Sequence, residues 1–265
     1  MQIDDITISK AITESFMKDF MDAMEVEVAI GGAGPAGLTA AYYLAREGIK
    51  TVVFERHLKV GGGMPGGGMM FNRIVVQEEG KKLLDEFGVR TSEYEKGYYI
   101  ADSLETTSTL CSGAIKAGAR IFNLISIEDV MIREDDRITG LVLNWSAVQM
   151  AGLHVDPLAI RAKVVIDATG HASEICHIVV DKLGGKLRTE KGGVMGEKSV
   201  WAEIGEKALM ENTIEVYPGL IVAGMAANAV LGAPRMGPIF GGMLLSGKRA
   251  AEVAMGILRK SEVPE

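Results

Sequence analysis

The order of apolar and polar positions along the chain predicts an α/β protein. In residues 6–24, apolar side chains recur at helical spacing at Ile8, Ile12, Phe16 and Phe20, which predicts an amphipathic helix. The short apolar runs "EVEVAIG" and "TVVFE" predict two buried strands. The segment "PAGLTAAYYLARE" between them predicts a helix, because it opens on a proline and ends before a glycine. Together they form a βαβ unit, from which parallel sheets are built.

The rest of the pattern continues this alternation to the end of the chain. The glycine- and methionine-rich stretch "GGGMPGGGMM" at 61–70 is predicted to be a loop, and the tail "SEVPE" to be loosely held. Because no internal repeat or linker interrupts the order, we expect a single domain, residues 1–265. Further helices are predicted at residues 77–89, 107–119 and 238–260, and further strands at 120–135, 137–145, 163–168 and 219–224.

Composition narrows the class of protein. With 265 residues, 48% of them hydrophobic, the chain can bury a sizeable core. Its net charge of −7 argues against a nucleic-acid partner. The two cysteines, Cys111 and Cys176, form no CxxC pair, which indicates a reduced protein without a disulfide framework. The longest apolar run, "GLIVAGMAANAVLGAP", is typical of packed core and tight turns, and no signal peptide is evident. We therefore expect a cytoplasmic protein with no membrane partner.

A dinucleotide-binding motif lies in the βαβ unit. Gly32, Gly34 and Gly37 fit the pattern GxGxxG between strand and helix, and Glu55 closes the second strand, placed to hold a ribose diol. Such a turn can also merely pack a helix on a sheet. Because the strand, the helix and the acidic residue are all present, we expect a ligand that contains ADP. The motif leaves open whether that ligand is FAD or NAD.

Two later stretches resemble motifs of glutathione-reductase-like proteins. These are "VVIDATGH" and "GLIVAGM", and in the second of them Met225 stands where that group carries an aspartate facing the flavin. The departure weakens a flavin interpretation. The resemblance implies a glutathione-reductase-like dinucleotide-binding fold, with a central parallel sheet, helices on its faces and an additional smaller β element.

Histidine and aspartate residues bracket the strand at 163–168. His154, Asp156 and His171 offer two imidazoles and one carboxylate, a ligand set that suits Fe(II) with open positions. In a plainer alternative, Asp156 starts a turn and His171 caps the following helix. Six strand residues span roughly 20 Å. Unless residues 154–162 fold back, Asp156 and His171 cannot reach one ion in the same subunit, and a shared metal would lie between protomers.

These motifs together resemble the NAD-consuming thiamine thiazole synthases, and most closely their archaeal sulfide-dependent form. The matching stretches are "GGAGPAGLTAAYYLA", "GGGMPGGGMMF", "NWSAVQMAGLHVDPL", "DATGH" and "APRMGPIFGGMLLSGKRAAE". The resemblance implies a transferase that makes an adenylated thiazole carboxylate from NAD, glycine and a sulfur source, with release of nicotinamide.

The resemblance also implies roles for particular residues. Fe(II) would be bound by Asp156 and His171 of neighbouring subunits in a homo-octamer, and the glycine carboxylate would be held by Arg235. Arg235 is expected at the mouth of a helix N-terminus, which is itself an anion site. NAD would be bound by Ala36, Glu55, Arg56, Gly63, Val130 and Met225.

One position departs from the eukaryotic members of the family. They carry a sulfur-donating cysteine where this chain has His154, and imidazole has no sulfur to give. We therefore expect this enzyme to use free sulfide and to turn over repeatedly, with His154, Asp156 and His171 as its catalytic residues. Two alternatives remain open, namely an FAD-dependent oxidoreductase and a non-catalytic NAD-binding sensor.

Overall fold

A computed structural model of the protein describes residues 3–184 and 186–261, except for the side chains of residues 134 and 261. The helices are α1 (Asp5–Asp22), α2 (Pro35–Arg46), α3 (Glu78–Phe87), α4 (Ser103–Ala117), α5 (Ser146–Met150), α6 (Glu174–Leu183), α7 (Ala202–Asn212), α8 (Met225–Leu231) and α9 (Gly241–Ser261). The strands are β1 (Glu25–Gly31), β2 (Thr51–Glu55), β3 (Arg73–Val76), β4 (Thr91–Glu95), β5 (Tyr98–Asp102), β6 (Arg120–Asn123), β7 (Ile125–Arg133), β8 (Arg137–Trp145), β9 (Leu158–Asp167), β10 (Glu215–Tyr217) and β11 (Leu220–Val222). After Ser261, the predicted loose tail lies outside the described residues.

The central sheet is mostly parallel. Strands β11, β9, β1, β2 and β6 lie side by side in that order and run parallel. β10 is an antiparallel edge next to β11, while β7 and β8 form an antiparallel extension that joins β9. Every residue of β2 is buried, as is expected of a parallel strand covered by helices on both faces. The predicted α/β fold with a central parallel sheet is confirmed.

A second, smaller sheet has three strands. Its order is β3-β5-β4, and both pairings are antiparallel. The resemblance to glutathione-reductase-like proteins implied an additional smaller β element, but the sequence pattern did not predict these three strands individually. β4 has no buried residue, so its sequence carries no apolar alternation from which a strand could be predicted.

Several element boundaries differ from the prediction. β9 has ten residues instead of six, because its first residues pair with β8 before the parallel register with β1 begins. The strand predicted at 120–135 is broken at Leu124, whose φ of 58° lies in the left-handed region. The apolar run after Gly219 forms β11 and then α8, so its second half is helical and not a series of turns.

Helix α1 lies on the surface of the protein. None of its residues is buried, although the rings of Phe16 and Phe20 lie 5.7 and 5.4 Å from that of Phe122. The predicted apolar stripe therefore contributes little to the core of one chain. In the part of the chain that the structure describes, no helix is both long enough and apolar enough to cross a membrane. The exposed large apolar side chains of α1 are Ile6, Ile8, Ile12, Phe16, Met17 and Met21.

Candidate active site

A cavity of about 760 Å³ opens beyond the carboxyl ends of β1, β2 and β9. Ligands of open α/β sheets bind in this position, because the strand ends there carry the loops and helix N-termini that contact them. The cavity brings together most of the residues that the sequence nominated. Those that line it are Gly32, Gly34, Ala36, Glu55, Arg56, Gly63, His171, Met225 and Arg235.

The glycine turn after β1 has the geometry that a dinucleotide requires. A Cβ on Gly32 (φ 96°) would lie 2.4 Å from the carbonyl oxygen of Ala168, and one on Gly37 would lie 2.0 Å from that of Gly32. Gly37 is thus buried beneath the turn, where it lets α2 pack closely. A Cβ on Gly34, by contrast, would meet no atom within 4 Å, so the start of α2 is open to the cavity. Free amides at a helix N-terminus favour a pyrophosphate.

Glu55 supports the turn as well as facing the cavity. Its Oε2 accepts a hydrogen bond from the Ala33 amide at 2.9 Å, and its Oε1 accepts one from the His57 amide at 2.8 Å. The side chain is only 7% exposed. Oε1 also lies 2.9 Å from Nδ1 of His57. Oε2 has one partner in the described residues and retains a further lone pair, so Glu55 can still accept a hydrogen bond from a ribose hydroxyl.

An ion pair forms one wall of the cavity. Arg56, at the end of β2, pairs with Glu174, the first residue of α6. Burial raises the pKa of the Glu174 carboxyl, and the Arg56 charge opposes that shift. Sequence reasoning missed Glu174, because its contact with Arg56 spans 118 residues.

A half-buried carboxylate that the sequence did not nominate, that of Glu197, links His171 with Arg235. Nδ1 of His171 lies 2.5 Å from Oε1 of Glu197, and Nε of Arg235 lies 3.7 Å from Oε2 of the same residue. The Glu197 side chain is 16% exposed, whereas those of His171 and Arg235 are 53% and 55% exposed. The carboxylate thus lies beneath two functional groups that face the cavity.

The turn that carries His171 is fixed by other residues. His171 lies in a 3-10 turn, Gly170–Ala172, between β9 and α6. The fully buried Asp167 accepts hydrogen bonds from the amides of Thr169 and Cys176, and the Thr169 hydroxyl accepts one from the Glu174 amide. The alternative in which His171 caps α6 is therefore wrong, because Asp167 and Thr169 perform that function.

The environment of Arg235 also differs from the expectation. α9 begins at Gly241, and the amide of Gly242 in its first turn donates to the Glu206 carboxylate at 2.5 Å. The carboxylate already occupies this helix terminus, so the terminus is not an open anion site beside Arg235. Burial raises the pKa of Glu206, and the Gly242 hydrogen bond opposes the shift. The binding capacity of Arg235 thus rests on its guanidinium.

Comparison with known proteins identifies the family. Residues 9–240 match the Thi4 family. The chain belongs to the Thi4 family. The thiamine thiazole synthase of Methanothermobacter thermautotrophicus is 65% identical over 259 residues, which cover 98% of this chain and 100% of that protein. That of Pyrococcus furiosus is 55% identical over 256 residues, covering 97% and 98%.

A solved structure of the Thi4 family has the same fold. The crystal structure of Thermovibrio ammonificans THI4 matches with a TM-score of 0.94 at 48% identity and covers 98% of this chain and 100% of that chain. The family expected from the sequence motifs is therefore confirmed, and these relatives support thiamine thiazole synthesis as the activity. A geranylgeranyl bacteriochlorophyll reductase-like protein of Thermoplasma acidophilum, at 16% identity and a TM-score of 0.53 over 90% of this chain and 80% of that one, shares the fold alone.

The remaining nominated residues of this Thi4 chain do not line the cavity. His154 and Asp156 lie in an exposed segment before β9, whereas His171 follows the other end of that strand. Val130 is half-buried on β7, whose Ile125 and Ile127 line the cavity instead. Within residues 3–184 and 186–261, no group of three or more His, Cys, Asp or Glu side chains is arranged to hold a metal ion.

Neither cysteine of this Thi4 chain is an exposed thiol in the cavity. Cys176 is fully buried on α6, and burial together with the nearby Asp167 raises the pKa of its thiol well above the usual value. Cys111 lies half-buried on α4, and burial raises its pKa as well. Both thiols are thus held in the protonated, weakly nucleophilic form.

Proposed function

We propose that this Thi4 protein makes the adenylated thiazole carboxylate of thiamine from NAD, glycine and free sulfide, with Fe(II), over many turnovers. The observation that carries the proposal is that one cavity joins a dinucleotide-binding turn to His171 and Arg235. A dinucleotide sensor needs the turn and Glu55, but it does not need a guanidinium and an imidazole in the same cavity.

Each group then has a task that suits its chemistry. The open start of α2 binds the pyrophosphate, and Glu55 holds a ribose diol. The guanidinium of Arg235 is a planar fork that binds the glycine carboxylate. In this arrangement nicotinamide leaves NAD first, and the amine of glycine condenses with the carbonyl compound that forms from the opened ribose.

The residues present fit Fe(II). An ionised Glu197 can only accept a hydrogen bond, so Nδ1 of His171 carries the hydrogen and Nε2 keeps a lone pair for a metal. When bound, Fe(II) would keep sulfide deprotonated and near the substrate. His171 and Asp156 would hold the ion.

Asp156 would reach this ion from a neighbouring subunit. The ten residues of β9 span roughly 33 Å at about 3.3 Å per residue, so the two ligands are far apart along one chain. Asp156 lies between exposed apolar side chains, and Asn144 holds the segment by donating to the Val155 carbonyl at 2.9 Å. Such a segment suits an interface between copies, and the octamer is the size that the family resemblance implies. The exposed apolar neighbours are Leu153, Val155 and Leu158.

Free sulfide is the proposed sulfur source, because His154 occupies the position where the eukaryotic members carry a donor cysteine. The two thiols present are protonated, and Cys176 is buried. A role for His154 next to the bound substrates follows if its segment enters the neighbouring cavity together with Asp156. Val130 of β7 would contact NAD, as the family resemblance implies.

The proposal is tested by supplying the substrates and identifying the product. Protein purified without air is incubated with NAD, glycine, Fe(II) and sulfide, and nicotinamide and the adenylated thiazole are measured by mass spectrometry. We expect several equivalents of product per chain, and none when sulfide is omitted. A yellow protein that carries flavin would support the oxidoreductase alternative, and NAD binding without nicotinamide release would support the sensor.

A further inference from the structure

The carboxylate of Glu197 contacts a proposed metal ligand and a proposed substrate clamp, yet it does not line the cavity. We infer that Glu197 is a positioning residue that sets the tautomer and the ring orientation of His171. The inference rests on the proposed function, because it assumes that His171 binds a metal. It concerns which nitrogen of the His171 ring binds the metal and how strongly the ring is held in place.

The backbone on both sides of Glu197 is anchored. The amide of Gly196 donates to the carbonyl of Ala229 at 2.9 Å, and the amide of Lys198 donates to that of Ala233 at 3.1 Å. These bonds tie an otherwise irregular segment to α8 and to the chain that follows it. Glu197 therefore starts from a fixed Cα position and loses little conformational entropy when it binds His171.

The same segment is tied directly to Arg235. The Arg235 amide donates to the carbonyl of Lys198 at 3.1 Å, and the Trp201 amide donates to the carbonyl of Arg235 at 2.9 Å. The guanidinium of Arg235 then limits where Oε2 of Glu197 can lie, with its Nε 3.7 Å away. The other oxygen, Oε1, remains for the imidazole.

The imidazole responds to this contact in two ways. First, a carboxylate on Nδ1 selects the tautomer with the hydrogen on Nδ1, which leaves Nε2 as the metal-binding nitrogen. Second, the hydrogen bond fixes the plane of a ring that is otherwise 53% exposed, so Nε2 is held in one orientation. Outer-sphere carboxylates of this kind typically contribute about 10- to 100-fold to metal affinity.

The test measures metal affinity without turnover. Glu197→Ala, Glu197→Gln and a control, Glu190→Ala, are titrated with Co(II) by calorimetry and by the visible absorption of the bound ion, and NAD affinity is measured in parallel. Glu190 is a suitable control because it is an exposed carboxylate on the same segment. We expect Glu197→Ala to weaken Co(II) binding by about 10- to 100-fold. Glu197→Gln should fall between Glu197→Ala and wild type, because its amide oxygen can still accept. NAD affinity and the control should be unchanged.

Each contrary result has a distinct meaning. Co(II) affinity within about twofold of wild type in Glu197→Ala overturns the inference, and if that variant does not fold, the same result in Glu197→Gln does so. A parallel loss of NAD affinity also overturns it, because the role would then be structural. If the wild-type protein neither binds Co(II) nor releases nicotinamide from NAD, the proposed function fails as well.

Discussion

Glu55 has two roles in this structure and the proposed function: its carboxylate stabilises the glycine turn and would bind NAD. One substitution therefore tests both roles. Its oxygens accept hydrogen bonds from the amides of Ala33 and His57 at 2.9 and 2.8 Å. In the proposed function the carboxylate also accepts a hydrogen bond from a ribose hydroxyl of NAD. In Glu55→Ala all of these acceptors are lost at once. The variant should therefore lose stability before any ligand is added, and lose NAD affinity in addition.

The two losses have separate magnitudes. Ala33 is fully buried, so its amide loses a partner that water cannot easily replace, and an unpaired buried donor costs about 1–3 kcal/mol. The His57 amide is more accessible to water, so losing its hydrogen bond should cost less. A hydrogen bond from a ribose hydroxyl to a charged acceptor contributes about 1.5–3 kcal/mol. At about 1.4 kcal/mol per factor of ten, NAD should bind roughly 10- to 150-fold more weakly.

Both quantities are measurable on the same preparation. Urea unfolding without ligand gives the change in the free energy of unfolding, and calorimetric titration with NAD gives the dissociation constant. Glu25→Ala is a matched control, since Glu25 begins β1 at the opposite end of the sheet and pairs with Arg161 on the surface. The reasoning is refuted if Glu55→Ala binds NAD as wild type does, or if Glu25→Ala reproduces its effects.

Three further predictions concern the chemistry of the site. Asp156→Ala should abolish thiazole formation in an anaerobic assay with Fe(II) and leave the affinity for NAD unchanged. Undiminished product formation would contradict the role of Asp156 as a metal ligand. Arg235→Lys should weaken glycine binding without stopping nicotinamide release, because a point charge replaces a planar fork; an unchanged KM for glycine would contradict the clamp. The Cys111→Ala/Cys176→Ala double variant should still make thiazole for many turnovers with sulfide, whereas His154→Cys should permit a single turnover without it. A double variant that folds and binds NAD but makes no product would overturn the assignment of free sulfide as the sulfur source.

Local sequence patterns predicted the elements that build the nucleotide half of the site. The βαβ unit and Glu55 could be identified because strand, glycine turn and helix lie within one short continuous segment. The three-stranded sheet was not resolved from the sequence, since its strands are short and β4 is largely exposed. Helix α7 was missed as well. Only two of its residues, Gly205 and Leu209, are buried, which leaves a weak helical period.

The chemical half of the site could be predicted only in part. His171 was nominated from the His/Asp pattern and Arg235 through the resemblance, and both line the cavity. Glu197 was missed, because it lies in a polar segment without periodicity and its contact with His171 spans 26 residues. Contacts between side chains so far apart in sequence depend on the path of the loops in the folded chain. Neither hydrophobic periodicity nor a local motif predicts that path. Glu206 was missed for the same reason, as it reaches α9 across 36 residues.

The length of β9 has a genetic consequence. Asp156 precedes the strand and His171 follows it, so under the proposed function each chain contributes one half to each of two different centres. Two inactive proteins, Asp156→Ala and His171→Ala, should then complement one another when they are coexpressed or unfolded and reassembled together. With random assembly, about a quarter of the centres would receive both intact halves. Mixed with wild-type chains, by contrast, either single variant should remove activity only in proportion to its share of the chains, because a centre fails only where the variant supplies the altered half.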